Sequence, residues 1–169
     1  RHWSALYQQN PVPDEGSYFT KAGFRYMPHQ DISRMPVCIA WDLAISKNQT
    51  ADYSVGTVGV RNKYDQIVVV EVLRGRWDTY EIVENMLEVY KRYKEMCVTP
   101  PLVGIERGQL ELAIRPHLNK RMEETRLYMS FDENLKPVTD KIMRARPLQG
   151  RMLQGKVAFI NEAPWMDDV

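Results

Sequence analysis

The sequence predicts an α/β fold: a mixed β-sheet of three antiparallel hairpin strands followed by alternating helices and strands, with helices flanking the sheet. Three observations carry this. An apolar run, Val37-Cys38-Ile39-Ala40-Trp41, leads into two further β-rich stretches separated by polar turns. After Asp78 the hydrophobic spacing changes to that of a helix. From there, amphipathic stretches alternate with short apolar runs, giving the order β-β-β-α-β-α-β-α-β.

Residues 1–35 differ from the rest of the chain. Asn10-Pro11-Val12-Pro13-Asp14-Glu15-Gly16 is turn-forming, and Pro28 and Pro36 bracket irregular sequence, so this part reads as a linker or an arm lying over a domain of residues 36–169. Val37 to Trp41 suits a buried central strand. Tyr53 to Val60 alternates, with Tyr53, Val55, Thr57 and Gly59 on one face and Ser54, Gly56, Val58 and Val60 on the other; the two glycines weaken that strand. Arg61 to Asp65 makes a turn, and Ile67 to Leu73 is the third strand.

Asp78 with Glu81 has the spacing of a capping box. Ile82, Val83, Met86, Tyr90, Tyr93 and Cys97 form the apolar stripe of the helix it starts, and Pro100 and Pro101 end that stretch. Leu102 to Ile105 reads as a buried strand. Leu110 to Ile114 reads as a helix interrupted or ended near Pro116. Leu127 to Phe131 is a short strand. Thr139 caps a helix reaching about Gln154, kinked or divided at Pro147, with Gly155 as the residue that stops it. Val157 to Ile160 is the last strand.

The chain has 169 residues, 44% hydrophobic and 27% charged, which suits one soluble domain. No apolar run approaches the roughly 20 residues of a membrane span, and the polar start is not a signal peptide. The missing initiator Met suggests a piece of a longer chain. Cys38 and Cys97 belong to no CxxC or Cys/His cluster, which argues against structural zinc; they read as reduced, buried thiols of a cytosolic protein. Lys plus Arg is 23 against 22 Asp plus Glu, and a net +1 does not advertise a nucleic-acid partner. The sum hides a segregation, because Lys141, Arg144, Arg146, Arg151 and Lys156 fall in one short stretch. That stretch is either a solvated helix face or a phosphate-binding surface.

Two acids stand out by placement. Asp42 closes the run Val37 to Trp41, and Glu106 closes the run Leu102 to Ile105. A carboxylate at the end of a buried strand is costly unless it is paired or binds a cation. If the two strands are neighbours, the acids meet at one edge of the sheet and suit hard Mg²⁺ or Mn²⁺. Two such ions about 4 Å apart serve phosphodiester hydrolysis. Asp52, across the hairpin, is a turn former or a supporting group. Gly150-Arg151-Met152-Leu153-Gln154-Gly155-Lys156 has P-loop spacing, but Val157 comes next where Ser or Thr is needed, and a helix precedes it instead of a strand. Nucleotide binding there is rejected.

Taken together, these residues resemble the nuclease domain of the large terminase subunit of tailed bacteriophages. Ile39-Ala40-Trp41-Asp42-Leu43-Ala44 with Ala51-Asp52-Tyr53-Ser54 looks like that family's first motif, and Val103-Gly104-Ile105-Glu106 like its second acidic motif. Thr139 to Leu148, with Gly155-Lys156-Val157, is similar to its third block. Tyr7-Gln8-Gln9-Asn10-Pro11 and Glu15-Gly16 resemble the exit from the preceding ATPase motor domain. The resemblance implies a ribonuclease H-like fold and a two-metal endonuclease using Mg²⁺ or Mn²⁺ that cuts concatemeric double-stranded viral DNA. The implied partners are the portal protein of the procapsid, the small terminase subunit and the motor domain in the same chain, in the host cytoplasm and without a membrane. Asp42 and Glu106 match the family's first two metal-binding acids, and Lys141 and Arg144 match its basic block for DNA contact.

The third acid of that family lies in a paired-Asp motif on a helix after the final strand. Asp167-Asp168 has that look, but Pro164-Trp165 resembles the segment before the helix. The third acid is therefore expected beyond Val169, with Asp167 or Asp168 as the alternative. Other readings are a different ribonuclease H-like nuclease, acting on junctions or RNA–DNA hybrids, and a non-catalytic domain docking DNA or portal.

Overall fold

The computed structural model describes residues 19, 23–44, 52–106, 108–132, 141–161 and 163–165, with Lys141, Ile142 and Arg144 placed by backbone alone. Its strands are β1 (Tyr26–Met27), β2 (Val37–Asp42), β3 (Ser54–Arg61), β4 (Ile67–Gly75), β5 (Leu102–Ile105), β6 (Ser130–Phe131) and β7 (Val157–Ile160). Its helices are α1 (Thr79–Met96), α2 (Gln109–Thr125) and α3 (Lys141–Leu153). The strands form one seven-stranded sheet in the order β1-β7-β4-β3-β2-β5-β6. The meander β2-β3-β4 is antiparallel, while β5 and β6 extend it in parallel on one side and β7 and β1 on the other. This is the hairpin-then-alternating mixed sheet expected from the sequence. No helix among the described residues is long and apolar enough to cross a membrane.

The alternation expected in β3 is observed, with Ser54, Gly56, Val58 and Val60 buried. Gly56 does not weaken the strand, because it lies directly opposite Trp41 and a Cβ there would come within 2.7 Å of the indole. The absent side chain is what lets Trp41 lie flat across β3. Gly75 serves Trp77 in the same way, since a Cβ there would run into its ring. The two indoles meet edge to face with centroids 6.5 Å apart.

In α1 the Asp78 carboxylate accepts from the Glu81 N–H at 2.8 Å, and the Glu81 carboxylate accepts from the Asp78 N–H at 2.9 Å. Both halves of the capping box are present. Ile82, Val83, Met86, Tyr90 and Tyr93 pack with Val37, Ile39, Trp41 and Val58 in one core. Ile114, Leu118 and Met122 of α2 complete it. Arg121 of α2 ties the two helices together, donating from both Nε and Nη2 to the Glu84 carboxylate at 2.6 and 3.0 Å. The helix α3 lies on the other face. Its Met152 is buried outside that core, as is Val157, which lies on the strand face opposite to Ile160, a member of the core.

Further expectations are corrected. Helix α3 is a single helix from Lys141 to Leu153 and is not divided at Pro147. Helix α2 runs through Pro116 to Thr125, because Ile114 and Leu118 on either side are both fully buried and hold the helix on the sheet despite the lost backbone bond. The strand expected from Leu127 is confined to Ser130–Phe131. The run Val37–Trp41 is buried on alternate residues only, so Cys97 is buried as expected but Cys38 is exposed. The strand β1 is an addition that no sequence pattern indicated. It pairs in parallel with β7, with the Tyr26 ring tilted against Phe159 and the Phe24 ring, just before the strand, stacked on it.

Candidate functional site

Strands β2 and β5 are adjacent and parallel, with Ile39 opposite Val103 and Trp41 opposite Ile105. Trp41 and Ile105 point into the helix-covered core. The next residue on each strand, Asp42 and Glu106, is exposed. Asp42 ends β2 on the face opposite the core, and continuing the alternation and register one residue past the end of β5 puts Glu106 on that face, one strand spacing of about 5 Å away. The structure therefore brings together the two acids that the sequence singled out.

The surroundings fix this strand end. The Ser54 hydroxyl, fully buried, donates to the Ala44 carbonyl at 2.8 Å and accepts from the Ala44 N–H at 2.9 Å. This pins the chain just after Asp42 onto β3. Trp41 braces the same end from below.

Across the face from Asp42, the same row continues. Val55 lies opposite Asp42, and Arg74 lies opposite Val55. The Arg74 and Arg76 guanidinium groups rest on the Tyr53 ring, at 3.8 and 4.0 Å from its centroid. On the far side of β5, Asp132 comes after Phe131, and its N–H donates to the Val103 carbonyl at 2.8 Å. The Cys38 thiol is raised by desolvation first and by the Asp132 carboxylate second. Cys38 is solvent-exposed overall, so that desolvation is partial; both effects keep it a neutral thiol near pH 7.

The donor set is two exposed carboxylates, which suits a hard divalent ion that keeps waters and takes substrate phosphate oxygens as further ligands. Among the described residues no three His, Cys, Asp or Glu side chains come together to hold a metal. Glu111, at the start of α2, is buried but bound by Arg115. Asp52 is exposed and precedes β3 by two residues. Asp167 and Asp168 lie outside the described residues, as do the side chains of Lys141 and Arg144.

The basic stretch divides in two. Its far part serves the turn between β3 and β4, at the end of the sheet away from Asp42. Lys156 donates from Nζ to the Tyr64 carbonyl at 2.8 Å, and Arg151 pairs with Asp65 at 3.5 Å. Gly155 takes the left-handed conformation, φ 67°, after the helix and before β7, which is the reverse of a P-loop. Reading the sequence alone placed Tyr53 and Ser54 in a motif without giving them a role, and missed Arg74, Arg76 and Asp132. The two arginines had a signal: in a strand, positions 74 and 76 share one face, next to an acid-bearing hairpin.

No protein-family profile and no curated protein matches this sequence. Among solved structures, the crystal structure of the yeast mitochondrial Holliday junction resolvase is similar with a TM-score of 0.39 and 11% identity, covering 77% of this chain and 68% of that one.

Proposed function

We propose that this chain carries a divalent-metal-dependent DNA endonuclease of the ribonuclease H-like class, acting in viral genome packaging as the nuclease part of a terminase large subunit. The observation that supports it most is the placement of Asp42 and Glu106 side by side at one end of the sheet, on one exposed face. The packaging role rests on the motif resemblance over residues 39–44, 51–54, 103–106, 139–148 and 155–157. On this reading the substrate is concatemeric double-stranded DNA, and the portal, the small subunit and the motor domain are partners in the host cytoplasm.

Asp42 and Glu106 would hold Mg²⁺ or Mn²⁺ through carboxylate oxygens. The bound ions would supply a nucleophile at neutral pH and neutralise charge on the attacked phosphate. The chain's own part is positioning. Trp41 against Gly56 and Ser54 against Ala44 set the direction in which Asp42 leaves β2. Contacts to phosphate alone carry no base information, so cleavage is expected to show little sequence preference.

The test compares linear duplex, four-way junction and RNA–DNA hybrid in Mn²⁺. Cutting of the duplex at many sequences supports the packaging nuclease. Selective cutting of the junction or hybrid moves the assignment to another nuclease of the same class. DNA binding with no cleavage of any substrate favours a docking domain.

A further inference from the structure

Cutting DNA at Asp42 and Glu106 poses an electrostatic problem. Until a metal is bound, two exposed carboxylates repel a phosphodiester, and the cations at Arg151 and Lys156 serve the opposite end of the sheet. We propose that Arg74 and Arg76, resting on Tyr53, form a phosphate-binding shelf that holds the DNA backbone beside the two acids. The inference rests on the nuclease reading and adds to its expected DNA contacts at Lys141 and Arg144 a phosphate contact on the acids' own row.

The register carries it. Asp42 pairs with Val55 and Val55 with Arg74, so the arginine stands on the acids' row and face, two strand spacings or about 10 Å from Asp42. Extending the same pairing from Ser54 and Gly75 puts Tyr53 opposite Arg76 on that face. Arg74 is exposed, and Tyr53 is 36% exposed, so the stack is at the surface and not in the core.

The chemistry fits an anion of fixed geometry. A guanidinium binds phosphate through its N–H edge, and stacking on a ring fixes the plane in which that edge lies. A ring that orders both side chains in advance lowers the entropy lost when the phosphate arrives. Two arginines on neighbouring positions of one face suit successive phosphates of a strand crossing the sheet from β4 towards β2.

The test is fluorescence anisotropy of a short labelled DNA duplex with the full chain, in Ca²⁺ to block cleavage, across a salt series. Each phosphate contact adds about 0.9 to the slope of log affinity against log salt. The double variant Arg74→Ala, Arg76→Ala should lower that slope by about two, so that wild type loses about tenfold more affinity than the variant over a fourfold rise in salt. The single Arg74→Gln, which removes the charge and leaves a polar side chain, should lower it by about one. Arg74→Lys with Arg76→Lys should keep the wild-type slope, and Arg151→Gln should leave it unchanged. A lowered melting temperature with an unchanged slope in both Arg74→Gln and the alanine double variant overturns the proposal, because the stack would then only brace the strand end. Equal flattening by Arg151→Gln overturns it as well. Absence of DNA binding by wild type removes the nuclease reading, and the shelf with it.

Discussion

Trp41 of β2 stands opposite Ile105 of β5 in parallel register, so the next residues along, Asp42 and Glu106, sit side by side on the exposed face of the sheet. The apolar pair is buried and the acidic pair is exposed. One register thus serves the core and the candidate metal site together, and slipping it by one residue would send the acids into the core.

Metal binding should report on that pairing directly. A ligand that binds only the folded chain stabilises it by about 2.7 kcal/mol at about 100 times its Kd. Mn²⁺ is expected to raise the melting temperature of wild type. Asp42→Asn and Glu106→Gln, both at exposed positions, should each lose most of that rise while melting normally without metal. Full shifts in both variants would place the ion elsewhere.

Gly56→Ala tests the brace behind Asp42. The new methyl group would meet the Trp41 ring at 2.7 Å and force it off β3. Overpacking of this kind costs about 1–3 kcal/mol, and each kcal/mol lowers Tm by about 2–4 °C in a chain of this size. An unchanged Tm would show that the indole has room to move.

The cap of α1 gives a simpler check. Asp78→Ala removes the acceptor for the Glu81 N–H and should cost about 1 kcal/mol in denaturant unfolding. A loss within error would mean that Thr79 or water satisfies the first turn equally well.

Acid stability should depend on Glu84. The Arg121 guanidinium bonded to it holds its carboxyl below the ordinary value of 4.5. A depressed folded-state value means that the pairing stabilises the protein above the ordinary value and that this is lost as pH falls through the folded one. Between pH 5 and pH 3, wild type should therefore lose more Tm than Glu84→Gln. Parallel curves would show that the pair contributes nothing to folding.

The capping box, the apolar stripe of α1 and the alternation of β3 were legible because each is a local pattern of side chains. The two acids were legible because each ends an apolar run, although only the sheet order could show that their strands are neighbours. Other features depended on contacts distant in sequence. Gly56 looks like a strand breaker until Trp41 lies across it. Pro116 looks like a stop until the burial of Ile114 and Leu118 outweighs its missing N–H. Cys38 belongs to an unbroken apolar run, yet the core covers only one face of its strand. The stack of Arg74 and Arg76 on Tyr53 required the β3–β4 register, which sequence alone does not give.

The most direct test of the central claim is nicking of supercoiled plasmid in Mn²⁺ by wild type and by Asp42→Ala, with the folding of both checked by thermal melting. The account predicts that wild type converts supercoiled to open-circular and linear DNA and that folded Asp42→Ala leaves the plasmid intact. Equal cutting by the folded variant would contradict it.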